Sequence, residues 1–113
     1  MSDLDHNEEI DELTQVSMNV LIHAGNARDY LVKSLKSIHD ENFEEANDYL
    51  KKAREEVTIS HSFQTSTIQK EAMGEQIRYS ILFAHAQDTM MTAQSEILIA
   101  ENLIAIFEKL MKK

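Results

Sequence analysis

Phe83-Ala84-His85-Ala86-Gln87-Asp88-Thr89-Met90-Met91 lies near the start of a stretch, from about Tyr79 to Lys113, that no Pro or Gly interrupts. Residues three or four apart share one face of a helix. On that spacing His85, Asp88, Thr92 and Ser95 form a polar stripe bordered by Ile81, Ala84, Met91 and Leu98. Ionisable groups are costly inside an apolar segment, so something other than packing keeps the stripe, and Asp88 is expected in a buried, oligomer-related position. At 1.5 Å per residue the helix reaches on the order of 50 Å. Further along, Ile97, Leu98, Ile99, Ala100, Leu103, Ile104, Ala105, Ile106 and Phe107 cover nearly its whole circumference. A monomer of three helices cannot bury all of them, and self-association is the economical expectation.

Upstream, Ala72-Met73-Gly74-Glu75 reads as a turn in which Gly74 ends a helix in the left-handed conformation. That helix starts after His39-Asp40-Glu41-Asn42, with Asn42 as N-cap and Glu45 reaching back in a capping-box-like arrangement. Its apolar stripe is Phe43, Ala46, Leu50, Ala53 and Val57, but the same seam then runs through Ser60 or His61, Gln64 and Thr67 or Ile68. Periodicity favours a helix that rotates its face or frays there over one that lines a site.

A further amphipathic helix runs from about Glu8, with Ile10, Leu13, Val20, Ala24, Ala27, Leu31 and Ile38 at helical spacings. Its acidic opening suits the positive end of the helix dipole. Gly25 inside it signals either close approach of another backbone or a tolerated glycine. Residues 1–7 read as a disordered acidic tail and 8–113 as one domain. Three long helices with short connections give an all-α, antiparallel up-down-up bundle.

Twenty acidic residues against eleven basic ones give a net charge of -9 without a dense basic block. Phosphate-backbone binding needs a positive footprint, so nucleic acid is not an expected partner. Cysteine is absent, which removes disulfides, thiolate metal sites and thiol nucleophiles. The N-terminus is acidic rather than basic and then apolar, and no uninterrupted apolar stretch approaches about 20 residues. A cytoplasmic protein without membrane insertion is expected.

A di-iron bundle site needs Glu-x-x-His pairs, and no histidine here has Glu three positions before it. Hydrolase, nucleotide and zincin motifs are also missing. Five histidines remain. His6 falls in the tail, His39 in a turn, and His23 beside Ile22 and Ala24. A neutral imidazole can attack phosphorus near neutral pH, and His85 and His61 are the candidates; a structural role for either stays open on the residues alone.

Val20-Leu-Ile-His-Ala-Gly-Asn-Ala-Arg28, His61-Ser-Phe-Gln-Thr65 and His85-Ala-Gln-Asp88 followed by Met91-Thr92 closely resemble the lactose/cellobiose-type enzyme IIA family of the bacterial sugar phosphotransferase system, across nearly the whole chain. The resemblance implies a homotrimer of three-helix subunits. It implies that His85 takes a phosphoryl group from the carrier protein HPr and passes it to the cysteine of a IIB subunit. It places Asp88 at the trimer axis, where three copies share one magnesium ion, a hard cation that prefers oxygen ligands. Similar proteins often carry histidine where this chain has Thr89. His-Ala-Gln-Asp looks more like the cellobiose and chitobiose branch than the lactose branch. In-line transfer relies on positioning and on donors to the equatorial oxygens, for which His61, Gln64 and Gln87 are the candidates. The competing class is a non-enzymatic oligomerisation module in which His85 and Asp88 only fix register.

Overall fold

The computed structural model describes residues 11–112, which form three helices, α1 (Glu12–His39), α2 (Phe43–Ala72) and α3 (Ile81–Met111), and no strand. The expected tail at 1–7 and the helical start at Glu8 lie outside the described residues. Within them, Asp11 is not helical but caps α1, its carboxylate accepting from the Thr14 N–H at 2.8 Å. Asn42 caps α2 as expected: its side-chain oxygen accepts from the Glu45 N–H at 3.1 Å, and its amide donates to the Glu45 carboxylate at 3.2 Å. Ser80 caps α3, accepting from the Phe83 N–H at 3.1 Å. The last helix therefore starts two residues later than periodicity places it.

Both connections open with the same reversal. After α2, Gly74 has φ 101°, its N–H donates to Glu71 and that of Glu75 to Lys70, which is the double backbone closure of a Schellman motif. After α1, the Glu41 N–H donates to Ile38 and that of Asn42 to Ser37, but the left-handed position, φ 56°, is held by Glu41. A side chain there carries a steric cost that glycine avoids.

Ion pairs across the bundle fix the direction of each helix. Glu12 meets Lys70, joining the start of α1 to the end of α2. Arg28 and Glu96 join the middles of α1 and α3, and Arg54 reaches Glu101, each at 3.0 Å. Arg78, two residues before the Ser80 cap, meets Asp11 at the start of α1, so α1 and α3 start at the same end and the chain runs up, down, up. The core has two parts. Ala27, Leu31, Leu50, Ala53, Val57, Ala93, Ile97, Ala100 and Ile104 fill the half nearer the α1–α2 turn, while Val20, Ala24, Ala86 and Met90 form a smaller cluster in the other half. Small side chains let α1 and α2 touch: Ser34 Oγ donates to the Ala46 carbonyl at 2.7 Å and Ser60 Oγ to that of Val20 at 2.8 Å.

One expectation changes here, and one open alternative narrows. The α2 helix neither rotates nor frays after Val57, since Ser60, Gln64 and Thr67 stay buried in unbroken helix. At Ser60 polarity is accommodated because the interhelix gap is narrow and the hydroxyl finds the Val20 carbonyl across it. Gly25 is not explained by a close approach within the chain, because a Cβ there would meet nothing within 4 Å.

The α3 helix has the length and average composition needed to cross a membrane. It is seated in the bundle through Ala86, Met90, Ala93, Ile97, Ala100 and Ile104. Its outer side leaves Ile81, Met91, Leu98, Ile99, Ile106 and Phe107 exposed, in line with the apolar surplus read from the sequence.

Candidate functional site

His85 sits on the second turn of α3, just after the Ser80 cap. Its side chain is exposed, and its backbone carbonyl accepts from Thr89 Oγ1 at 2.9 Å. Asp88, Thr92 and Ser95 share this outward side and are exposed too. The stripe is exposed on the single chain, and the burial expected of Asp88, being oligomer-related, belongs to an assembly of chains. Helical spacing tells which residues lie together but not which side a neighbour occupies. Among the described residues no three of His, Cys, Asp and Glu converge as metal ligands. Asp88 brings one hard oxygen donor per chain, so a cation centre of the kind the resemblance implies needs Asp88 from several copies.

A groove of about 370 Å³ runs between the end of α2 and the start of α3, on a different side of α3 from His85; Thr67, Glu71, Arg78, Phe83, Ala84 and Gln87 are among the residues that line it. Gln87 is half-buried in its wall. The other two candidate donors are elsewhere. Gln64 is buried on the α2 seam. His61 is exposed six residues before Thr67, about 9 Å along the helix at its normal rise, with Thr65 Oγ1 3.3 Å from its Nδ1. No hydrogen bond joins His61, Gln64, Gln87 or His85 to one another among the described residues.

The other motif residues are engaged structurally. His23 Nδ1 lies 2.6 Å from Glu56, whose second oxygen accepts from Asn26 at 3.2 Å. Phe63 stacks on the His23 ring. Arg28 binds Glu96 through two nitrogens at 3.0 and 3.3 Å. These contacts account for the partly buried His23 and explain Asn26 and Arg28 without a ligand.

Residues 76–78, which motif reading passed over, belong to the linker that leads into α3. Arg78 Nε and Nη2 donate to Asp11 Oδ2 at 3.0 and 2.7 Å, and Nη2 reaches Thr14 Oγ1 at 3.3 Å. Hydrogen bonds from Thr14 and then from Arg78 hold the Asp11 carboxyl at about 2, below its usual 3.8. The Glu12 carboxylate raises Lys70. Tyr79, Met73 and Ile81 stand out into solvent, each at least 75% exposed, around this end of the bundle. The available signal was Ser80 ahead of an apolar run, a cap that sets where the linker stops.

The lactose/cellobiose-specific IIA subunit family model matches residues 15–108. The lichenan-specific phosphotransferase enzyme IIA component of Bacillus subtilis is 33% identical, with 88% of this chain and 91% of that protein aligned. The N,N'-diacetylchitobiose-specific component of Escherichia coli K12 is 31% identical over 97% and 98% of the two chains. A crystal structure of the cellobiose-specific enzyme IIA from Bacillus anthracis superposes with a TM-score of 0.86 at 33% identity, covering 95% of this chain and 98% of that one. Agreement of this breadth, in sequence and in backbone alike, makes the chain a member of the lactose/cellobiose-specific IIA family, phosphotransferase components of the bacterial sugar phosphotransferase system.

Proposed function

We propose that this chain is a phosphohistidine carrier in sugar uptake, accepting a phosphoryl group from HPr on His85 and passing it to a cysteine of a IIB subunit. The observation that carries the reading is the exposure of His85 on the second turn of α3. A neutral imidazole nitrogen attacks phosphorus as the donor's P–N bond breaks; in the second step the His85 P–N bond breaks as an S–P bond forms. Such transfers depend on alignment of donor and acceptor, which an open helix face between two docking partners allows. Gln87 is the donor nearest the groove; His61 and Gln64 would need a neighbouring copy, or a change of side-chain position, to reach the phosphoryl oxygens.

The exposed apolar side of α3 supports assembly into a homotrimer. With a threefold axis along that side, three Asp88 carboxylates face one another, repel, and suit a shared magnesium ion. The sugar is of the cellobiose or chitobiose type, with lactose as the alternative, and the carrier works in the cytoplasm.

Incubation with phosphoenolpyruvate, enzyme I and HPr, followed by intact-mass spectrometry, tests the carrier role. One acid-labile phosphoryl group is expected on the native chain and none on His85→Ala. Phosphate mapped to His61, or full labelling of the alanine variant, overturns the assignment. A chain that assembles but takes no phosphate is an oligomerisation module. Sedimentation and thermal unfolding with magnesium or chelator test the axis: magnesium should stabilise the native trimer and leave Asp88→Asn unchanged.

A further inference from the structure

The segment that delivers the chain into the His85 helix has few attachments of its own. After the Glu75 N–H bonds to Lys70, the next backbone bond outside the helices on this side is that of Ala84 to Ser80. Between them, Glu75, Gln76, Arg78 and Tyr79 are exposed, and only Ile77 and Ser80 are half-buried. The segment is not packed flat on the bundle either. An open cleft of about 310 Å³, lined by Leu13, Val16, Thr67, Lys70, Ile77 and Arg78 among others, lies between it and the ends of α1 and α2, and the groove between α2 and α3 flanks its other side.

What crosses the gap is Arg78. Two of its nitrogens grip one oxygen of Asp11 and one of them also reaches Thr14. The other oxygen of Asp11 caps α1. The guanidinium is thus tied to the first turn of the helix that forms the backbone of the bundle, two residues before the Ser80 cap. Next door, Glu12 of the same turn holds Lys70 at the end of α2. One helix start therefore references both the end of α2 and the beginning of α3.

We infer that Arg78 is a positioning residue for phosphoryl transfer: its clasp on Asp11 fixes where the capped start of α3 sits against α1 and so holds the His85 turn in the geometry that the phosphoryl donor docks against. This inference rests on His85 being the acceptor. Arg78 does not touch the reacting atoms; it acts through the linker. Loosening it leaves the imidazole chemically competent but presents it in a wider set of orientations to a large partner, and a preorganisation loss of that kind falls on docking.

Two variants separate the clasp from the cap. Arg78→Ala removes the guanidinium, and Asp11→Asn keeps a good N-cap while removing the charge that the guanidinium grips. With phosphorylated HPr as donor, each should raise KM by about threefold to fivefold, the range of one exposed ion pair, with kcat within about twofold. The double variant should be no worse than either single one, and Arg78→Lys should recover part of the effect. With phosphoramidate, a donor too small to need docking, rates should match the native chain. Hydrogen exchange should quicken at 75–82 in both variants while the α1 and α2 interior is unchanged. An unchanged KM, a phosphoramidate rate that falls with that of HPr, or unaltered exchange at 75–82 overturns the inference. A native chain that accepts phosphate from neither donor overturns the His85 assignment instead, and the exchange comparison then decides whether the clasp holds the linker.

Discussion

The two ends of the bundle are built differently. Near the α1–α2 turn, aliphatic side chains from all three helices meet in one dense cluster, and the chain reverses within residues 40–42. At the end that carries His85, the core thins to Val20, Ala24, Ala86 and Met90, the seam is filled out by Ser17, Ser60, Gln64 and Thr67, and a linker bordered by cavities makes the connection. Regions that must meet partners are drawn from the less stable parts of a fold. Here stability is concentrated away from His85, and the structure near it is set by single polar contacts.

The largest effect should come from the dense end. Ile97, 5% exposed in the larger cluster, should lose about 2–5 kcal/mol on truncation to alanine, read as a lower denaturation midpoint, with phosphate acceptance by the folded fraction unchanged. A loss well under this range would mean that the two ends do not differ in packing as described. Ser60→Val probes the other end. Ser60 is fully buried where α1 and α2 touch, so the extra carbons should cost about 1–3 kcal/mol; a stabilised variant would show instead that the polar seam is loose.

Much of this plan was legible beforehand, for reasons that also set its limits. Gly74 and Asn42 announce themselves because few residues do what they do, and the apolar surplus of α3 follows from counting faces. Glu41 did not announce itself: its left-handed φ is imposed by two backbone bonds and not by residue type. Polarity at Ser60, Gln64 and Thr67 looks like a seam that has turned away, whereas all three stay buried and the closely approaching α1 supplies the Val20 carbonyl to Ser60. Asp88 faces outward since a stripe has no direction until its neighbours are known. The tie between Arg78 and Asp11 spans most of the chain and has no local signature.

The smaller predictions concern the turn and the clasp. Glu41→Gly should stabilise the chain by about 0.5–1 kcal/mol, because glycine takes the left-handed conformation without the side-chain clash; thermal unfolding would show it, and a destabilised variant would mean that the loop entropy of glycine outweighs the strain. The smallest effect is at Asp11. Its folded-state pKa is lowered from 3.8 to about 2, so its contribution is present above 3.8 and is lost as pH falls through about 2. Acid unfolding of Asp11→Asn should lack this component, and acid curves that superpose would show that the clasp contributes nothing to stability.

The brevity of the reversal at residues 40–42 also bears on the order in which the chain acquires its structure. Contacts between α1 and α2 can close like a zip from that reversal, each one bringing the next within reach, which is the fast kind of assembly. The α3 helix comes after a longer connection and must find a seam that the first pair has already made. During synthesis it also leaves the ribosome after the other two helices. A hairpin waiting for its third helix, and then a finished subunit with an oily flank, should make refolding yield fall as protein concentration rises, unless association of complete subunits outruns capture of incomplete ones.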